Sequence, residues 1–61
     1  MEIVELGGRI LKLRKIAGLS QEELAERVGV SRQAVGKWEN GVAVPEHNKL
    51  LELSRVLDVT V

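Results

Sequence analysis

The 61-residue sequence has no cysteine, one proline, one aromatic residue and no net charge. Without cysteine there is no disulfide to staple a small fold and no thiolate to hold a metal, which suits a reducing cytoplasm. Trp38 is the only aromatic residue, so the core must be aliphatic. No apolar run approaches the ~20 residues of a membrane span, and Met1 is not followed by a basic region and an apolar signal core. Nine basic and nine acidic residues cancel, and they do so evenly: residues 1–30 hold five of each sign and residues 31–61 four of each. That excludes the strongly basic balance that announces many nucleic-acid binders, so any such role must rest on local arrangement. A chain of this length is one small domain whose core rarely supplies more than ~3–5 kcal/mol. At 44% hydrophobic residues it is nonetheless too apolar for disorder.

Gly18, Gly29, Gly41 and Pro45 punctuate the chain. Leu6, Ile10, Leu13 and Ala17 recur at helical spacing as one stripe of a first helix, which Gly18 ends. Ser20 followed by Glu23 is a capping box and opens a second helix whose Leu24, Ala25 and Val28 share a face. Gly29 stops it, Ser31 caps a third helix over 32–39, and Asn40-Gly41 is its stop signal. Pro45 suits the start of a fourth helix carrying Leu50, Leu53, Val56 and Leu57. No segment alternates with period two for long enough to be a strand. The expectation is an all-α bundle of about four short helices, residues 1–61 forming one domain. Only "VGVS" separates helices two and three, and Val28, Val30, Val35 and Trp38 can pack in the angle between them. That is a helix-turn-helix by geometry.

The stretch "LSQEELAERVGVSRQAVGKWENG" resembles the helix-turn-helix family of Cro and phage repressors, the XRE class of bacterial regulators. The flanking "GGRILKLRKIAG" and "PEHNKLLELSRVLDVTV" match that family's first and fourth helices, so the resemblance covers nearly the whole chain. It implies a lambda-repressor-like fold and sequence-specific binding of double-stranded DNA, usually by a two-fold dimer on a near-palindromic operator. Three departures stand out. The family's fifth helix is absent after "VTV", the loop "GVAVP" lacks basic residues, and Leu11 and Ile16 occupy positions that are commonly polar. The first leads to the expectation that the chain is the N-terminal part of a longer regulator and dimerises weakly; the second, to modest affinity.

On a helical wheel Ala34, Val35 and Trp38 of residues 31–39 fall on one side. Gln33, Gly36 and Lys37 fall on the other, with Arg32 at their edge. The polar side is the one a major groove would meet. Arg32 suits the O6 and N7 of a guanine and Gln33 the N6 and N7 of an adenine, while Lys37 suits a guanine or a phosphate. Gly36, which costs a helix interior roughly 1 kcal/mol relative to alanine, would let the helix approach base edges closely. Gln21 follows the Ser20 cap at a helix N-terminus, a favourable place for phosphate. The resemblance gives it that role, and Ser31 and Asn40 are expected to join it. The resemblance also implies a partly buried ion pair between Arg14 and Glu39.

Trp38 shares a face with Val35 and reads as core. His47, the only histidine, has no second ligand to share a metal, and no cofactor is expected. Leu11 lies on the side of Val4, a pair that would form a small apolar patch if exposed. With no glycine-rich phosphate loop and no nucleophile–base pair, an enzyme is not expected. A cytoplasmic regulator, nucleoid-associated when bound to DNA and a repressor by type, is. The competing expectation is a protein-interaction module of the antitoxin kind.

Overall fold

The described residues, 3–58 of a computed structural model with side chains from residue 6 onward, form four helices and no strand. These are α1 (Ile3–Ile16), α2 (Gln21–Val28), α3 (Arg32–Glu39) and α4 (His47–Leu57). The all-α fold expected from the sequence is the fold observed.

Local chemistry explains the short helices. At the start of α2, Ser20 Oγ accepts the Glu23 N–H and Glu23 Oε1 accepts the Ser20 N–H, so both halves of the capping box form. At its end Gly29 takes a left-handed conformation with φ 85°, which a side chain would resist. The Ala25 carbonyl there accepts from the N–H groups of both Gly29 and Val30. Lys49 of α4 donates to the Val28 carbonyl at 3.4 Å, placing a cation at the negative end of α2. Ser31 Oγ accepts the Ala34 N–H and starts α3 almost at once. The turn between α2 and α3 is thus set by one glycine and one serine cap, and tied by Lys49 of α4.

The core consists of Ile10, Leu24, Ala25, Val28, Val35, Trp38, Leu53 and Leu57, with Leu6, Leu13, Val30, Leu50 and Val56 packed around it. Helix α3 contributes Val35 and Trp38 as its buried side chains, packing against α1 and α2, while α4 closes the far side against α2. The one aromatic side chain is therefore part of the core.

Two boundaries differ from expectation. Helix α1 ends at Ile16, so Ala17 lies beyond it, exposed in the turn before Gly18. Helix α4 begins at His47 after the cap residue Glu46, two residues beyond Pro45, whose ring is buried. Pro45 therefore packs the approach to α4 rather than serving as its first residue. Leu11 is half-buried, and the Val4 side chain lies outside the described set.

The capping box carries a pH dependence. The Glu23 carboxyl is held below its usual value of 4.5, first by the Ser20 backbone N–H, next by the Ser20 side chain, and to a smaller extent by Arg27. A carboxyl whose folded pKa is depressed stabilises the fold above its unfolded pKa, and that contribution fades as pH falls through the folded value. Glu23→Ala is therefore expected to lower the melting temperature at neutral pH, with the gap from the parent narrowing as pH falls below 4.5 and through the depressed folded value. Thermal unfolding of both proteins across that range checks it; a gap independent of pH would mean that the ionised carboxylate is not the source of the loss.

Candidate nucleic-acid interface

A helix eight residues long has little with which to fix its own orientation, and α3 is held by polar contacts at its C-terminal end. Glu39 lies in its last turn, where the helix dipole disfavours a carboxylate. Arg14, in the last turn of α1, offsets this. Its Nε donates to Glu39 Oε2 at 2.6 Å and its Nη2 to Glu39 Oε1 at 3.2 Å. Its Nη1 donates to the Leu19 carbonyl at 2.9 Å, tying down the α1–α2 connection just before the Ser20 cap. The two side chains are 11% and 4% exposed, far from a solvated surface pair. Residues 14 and 39, expected from the resemblance to pair, meet in this structure.

Gln21, the first residue of α2, joins them. Its Nε2 donates to Glu39 Oε1 at 2.9 Å, and its Oε1 faces Arg32 Nη1 at 3.5 Å. An ionised carboxylate only accepts and a guanidinium only donates, so the orientation of the amide follows from its two neighbours. The second Nε2 hydrogen is left for another acceptor. Beside it, the first-turn N–H groups of Gln21 and Glu22 lack intrahelical partners, while that of Glu23 is taken by Ser20 Oγ. Together they make a donor cluster of the kind that receives a phosphate oxygen.

Gly36 lies beneath this amide. A Cβ there would stand 3.9 Å from Gln21 Nε2, an ordinary contact, with nothing else close. The helical wheel placed Gly36 on the outward face and missed that Gln21 reaches across α3 above it. Arg32, Gln33 and Lys37 are exposed, Ser31 is exposed while capping α3, and Asn40 is exposed at the α3 C-cap. Gly41 follows with φ 76°, and Val42 returns its N–H to the Lys37 carbonyl. The loop after it exposes Val42 and Val44 rather than cations.

Sequence reasoning missed Gly7, which is buried. A Cβ on Gly7 would stand 2.9 Å from the Glu39 carbonyl oxygen and closer still to that of Trp38. Its only sequence signal was a glycine pair inside a helix. Gly8 beside it is exposed with open space around it, so the pair hides one constrained position next to one free one.

A family model described as helix-turn-helix matches residues 10–61. The SPbeta prophage-derived uncharacterized HTH-type transcriptional regulator YonR of Bacillus subtilis is 41% identical over 54 residues, 88% of this chain and 50% of that protein. The HTH-type transcriptional activator BcrR of Enterococcus faecalis is 38% identical over 58 residues, 95% of this chain and 28% of that one. The chain thus spans half the length of the first relative and under a third of the second. Among solved structures, the restriction-modification controller protein C.AhdI from Aeromonas hydrophila is similar with a TM-score of 0.88 and 38% identity, over 93% of this chain and 86% of that one.

Breaking the buried pair should be severe. Arg14→Met or Glu39→Gln alone strands its partner, a loss of about 3–5 kcal/mol in buried pairs generally. The double variant is expected to recover part of it, leaving a coupling of about 1–3 kcal/mol, above the range of exposed pairs. Because the whole domain is only about that stable, the cycle is best read by thermal unfolding in sucrose, which favours the folded state. Additive losses would mean that the two side chains are neighbours without energetic linkage.

Proposed function

The chain belongs to the helix-turn-helix family, and on that premise we propose that it is the DNA-binding domain of a transcription regulator, with α3 lying in the major groove. The observation that carries this reading is the face made by Arg32, Gln33 and Lys37, beside a Gln21 amide whose direction is set by buried Glu39. Side chains that read base edges need a rigid support, and here the support comes from two other helices. Arg32 and Gln33 at the start of α3 read base edges, with Lys37 one turn on. Gln21, Ser31 and Asn40 grip phosphates and fix the register. No enzymatic step is part of this function, and the relatives above carry the names of regulators.

The operator is a near-palindrome bound by a weak dimer, with half-sites roughly one helical turn, about 34–36 Å, apart. A second reading, a protein-docking module, draws on the exposed Ile16, Val42, Val44 and Leu51. Selection from a random duplex pool separates the two. An enriched near-palindrome supports the first; no enrichment, together with tight salt-independent binding to a protein, supports the second. With few cations on the reading face, log K should fall only shallowly with log salt, with a slope of about three to five in magnitude per protomer.

Substitutions divide the roles. Arg32→Ala and Gln33→Ala should relax preference at one or two base pairs, at ~1–3 kcal/mol each. Asn40→Ala should weaken all sequences alike. Gln21→Ala should do the same and also loosen the position that Arg32 reads, since Gln21 Oε1 then no longer faces its guanidinium. Titrations on the selected operator and on its point variants test this, and identical profiles for all four would remove the division between reading and gripping.

Gly36→Ala tests close approach. The added methyl fits beside Gln21, so stability should rise by up to about 1 kcal/mol. Specific binding should fall despite the firmer fold if the missing side chain admits a base edge. Unchanged binding would make Gly36 merely tolerated.

A further inference from the structure

Gly7 is far from α3 in sequence and carries no side chain, yet it stands against the backbone of Trp38 and Glu39. From this close approach we infer that Gly7 is a positioning residue for the recognition helix. It sets the tilt of α3, and so the placement of Arg32 and Gln33 at its other end. The inference rests on the proposed reading of α3 as the helix that meets bases.

The geometry is that of a short lever. Helix α3 spans eight residues, about 12 Å at 1.5 Å per residue. Val35 near its middle is fully buried and acts as the pivot. Residues 38–39 lie about 5 Å to one side of it and Arg32 about 4.5 Å to the other. Any Cβ at position 7 would press on backbone carbonyls, which cannot swing aside as the tip of a side chain can. The two helices would have to part by roughly 1 Å to reach normal carbon–oxygen separation. Across the pivot that becomes a displacement of similar size at Arg32, while a binding constellation tolerates only about 0.5 Å. The same displacement strains the link from Glu39 to Gln21, because Glu39 carries both the carbonyl beside Gly7 and the carboxylate that holds Gln21.

The alternative is that Gly7 matters for stability alone, and the two part on sequence preference. The test introduces Gly7→Ala into a Gly8→Ala host, since the exposed and unobstructed Gly8 can accept a methyl that strengthens α1. A control carries Val56→Ala, a half-buried change on α4, in the same host. All are studied at low temperature in trimethylamine N-oxide, with folding checked by circular dichroism. The parent is first run through duplex selection. A parent that enriches no motif would overturn the DNA reading and this inference with it. Given a motif, the Gly7→Ala chain should bind it at least tenfold more weakly per folded molecule, with an altered preference at the base pairs read from the start of α3. Its affinity for random duplex should change less than twofold, and the control should keep both the parent's affinity and its preference. Equal behaviour of the two variants per folded molecule would overturn the positioning role. So would a Gly7→Ala chain that stays unfolded, which would make Gly7 a requirement of folding only.

Discussion

The ion pair between Arg14 and Glu39 ties the last turn of α1 to the last turn of α3, and Gln21 brings in α2 through the same carboxylate. Few other contacts carry as much of the arrangement. Helix α3 buries two large side chains, Val35 and Trp38, which hold it to the core but leave its rotation and tilt loosely specified. A bidentate guanidinium–carboxylate contact specifies both, because its two hydrogen bonds are directional where burial is not. The pair is not an evident source of net stability, since removing two charges from water offsets much of their attraction. Its effect is orientation, and losing one partner would cost about as much as a domain of this size has to spare.

The elements legible in the sequence were those whose cause is local. The capping box at Ser20 and Glu23, the Ser31 cap and the Gly29 stop each act within a few residues, so α2 and α3 could be read almost to the residue. Pro45 misled by two positions because a proline before a helix can satisfy packing as well as backbone geometry, and here its ring is buried. Ala17 continued an apolar spacing past the point where the chain turns into Gly18. Periodicity alone does not see such an end.

The long-range features were legible only through family resemblance or not at all. Nothing within a few residues of Arg14 points to Glu39, and the contact of Gln21 with Glu39 spans 18 positions. Gly7 is the clearest case. A glycine inside a helix looks like a local weakness, and the reason for it is another helix's backbone. Gly36 looked like the informative glycine because it sits among the polar residues of α3, yet a methyl there meets only an ordinary contact. The two positions show why an interior glycine cannot be interpreted from its own helix.

Neutral charge bears on how such a domain would discriminate if it reads DNA as proposed. Phosphate contacts supply affinity without sequence information, and each adds to the attraction for every competing site. A face with Arg32 and Lys37 as its cations, backed by neutral donors at Gln21 and Asn40, gains little from phosphate charge alone. Discrimination then depends on a few base contacts of ~1–3 kcal/mol each, and their worth falls quickly with misplacement. A reading helix with little electrostatic hold on its ligand therefore has more need of a rigid mount. Here that mount is a buried ion pair at one point of α1 and a glycine at another, both bearing on the last two residues of α3.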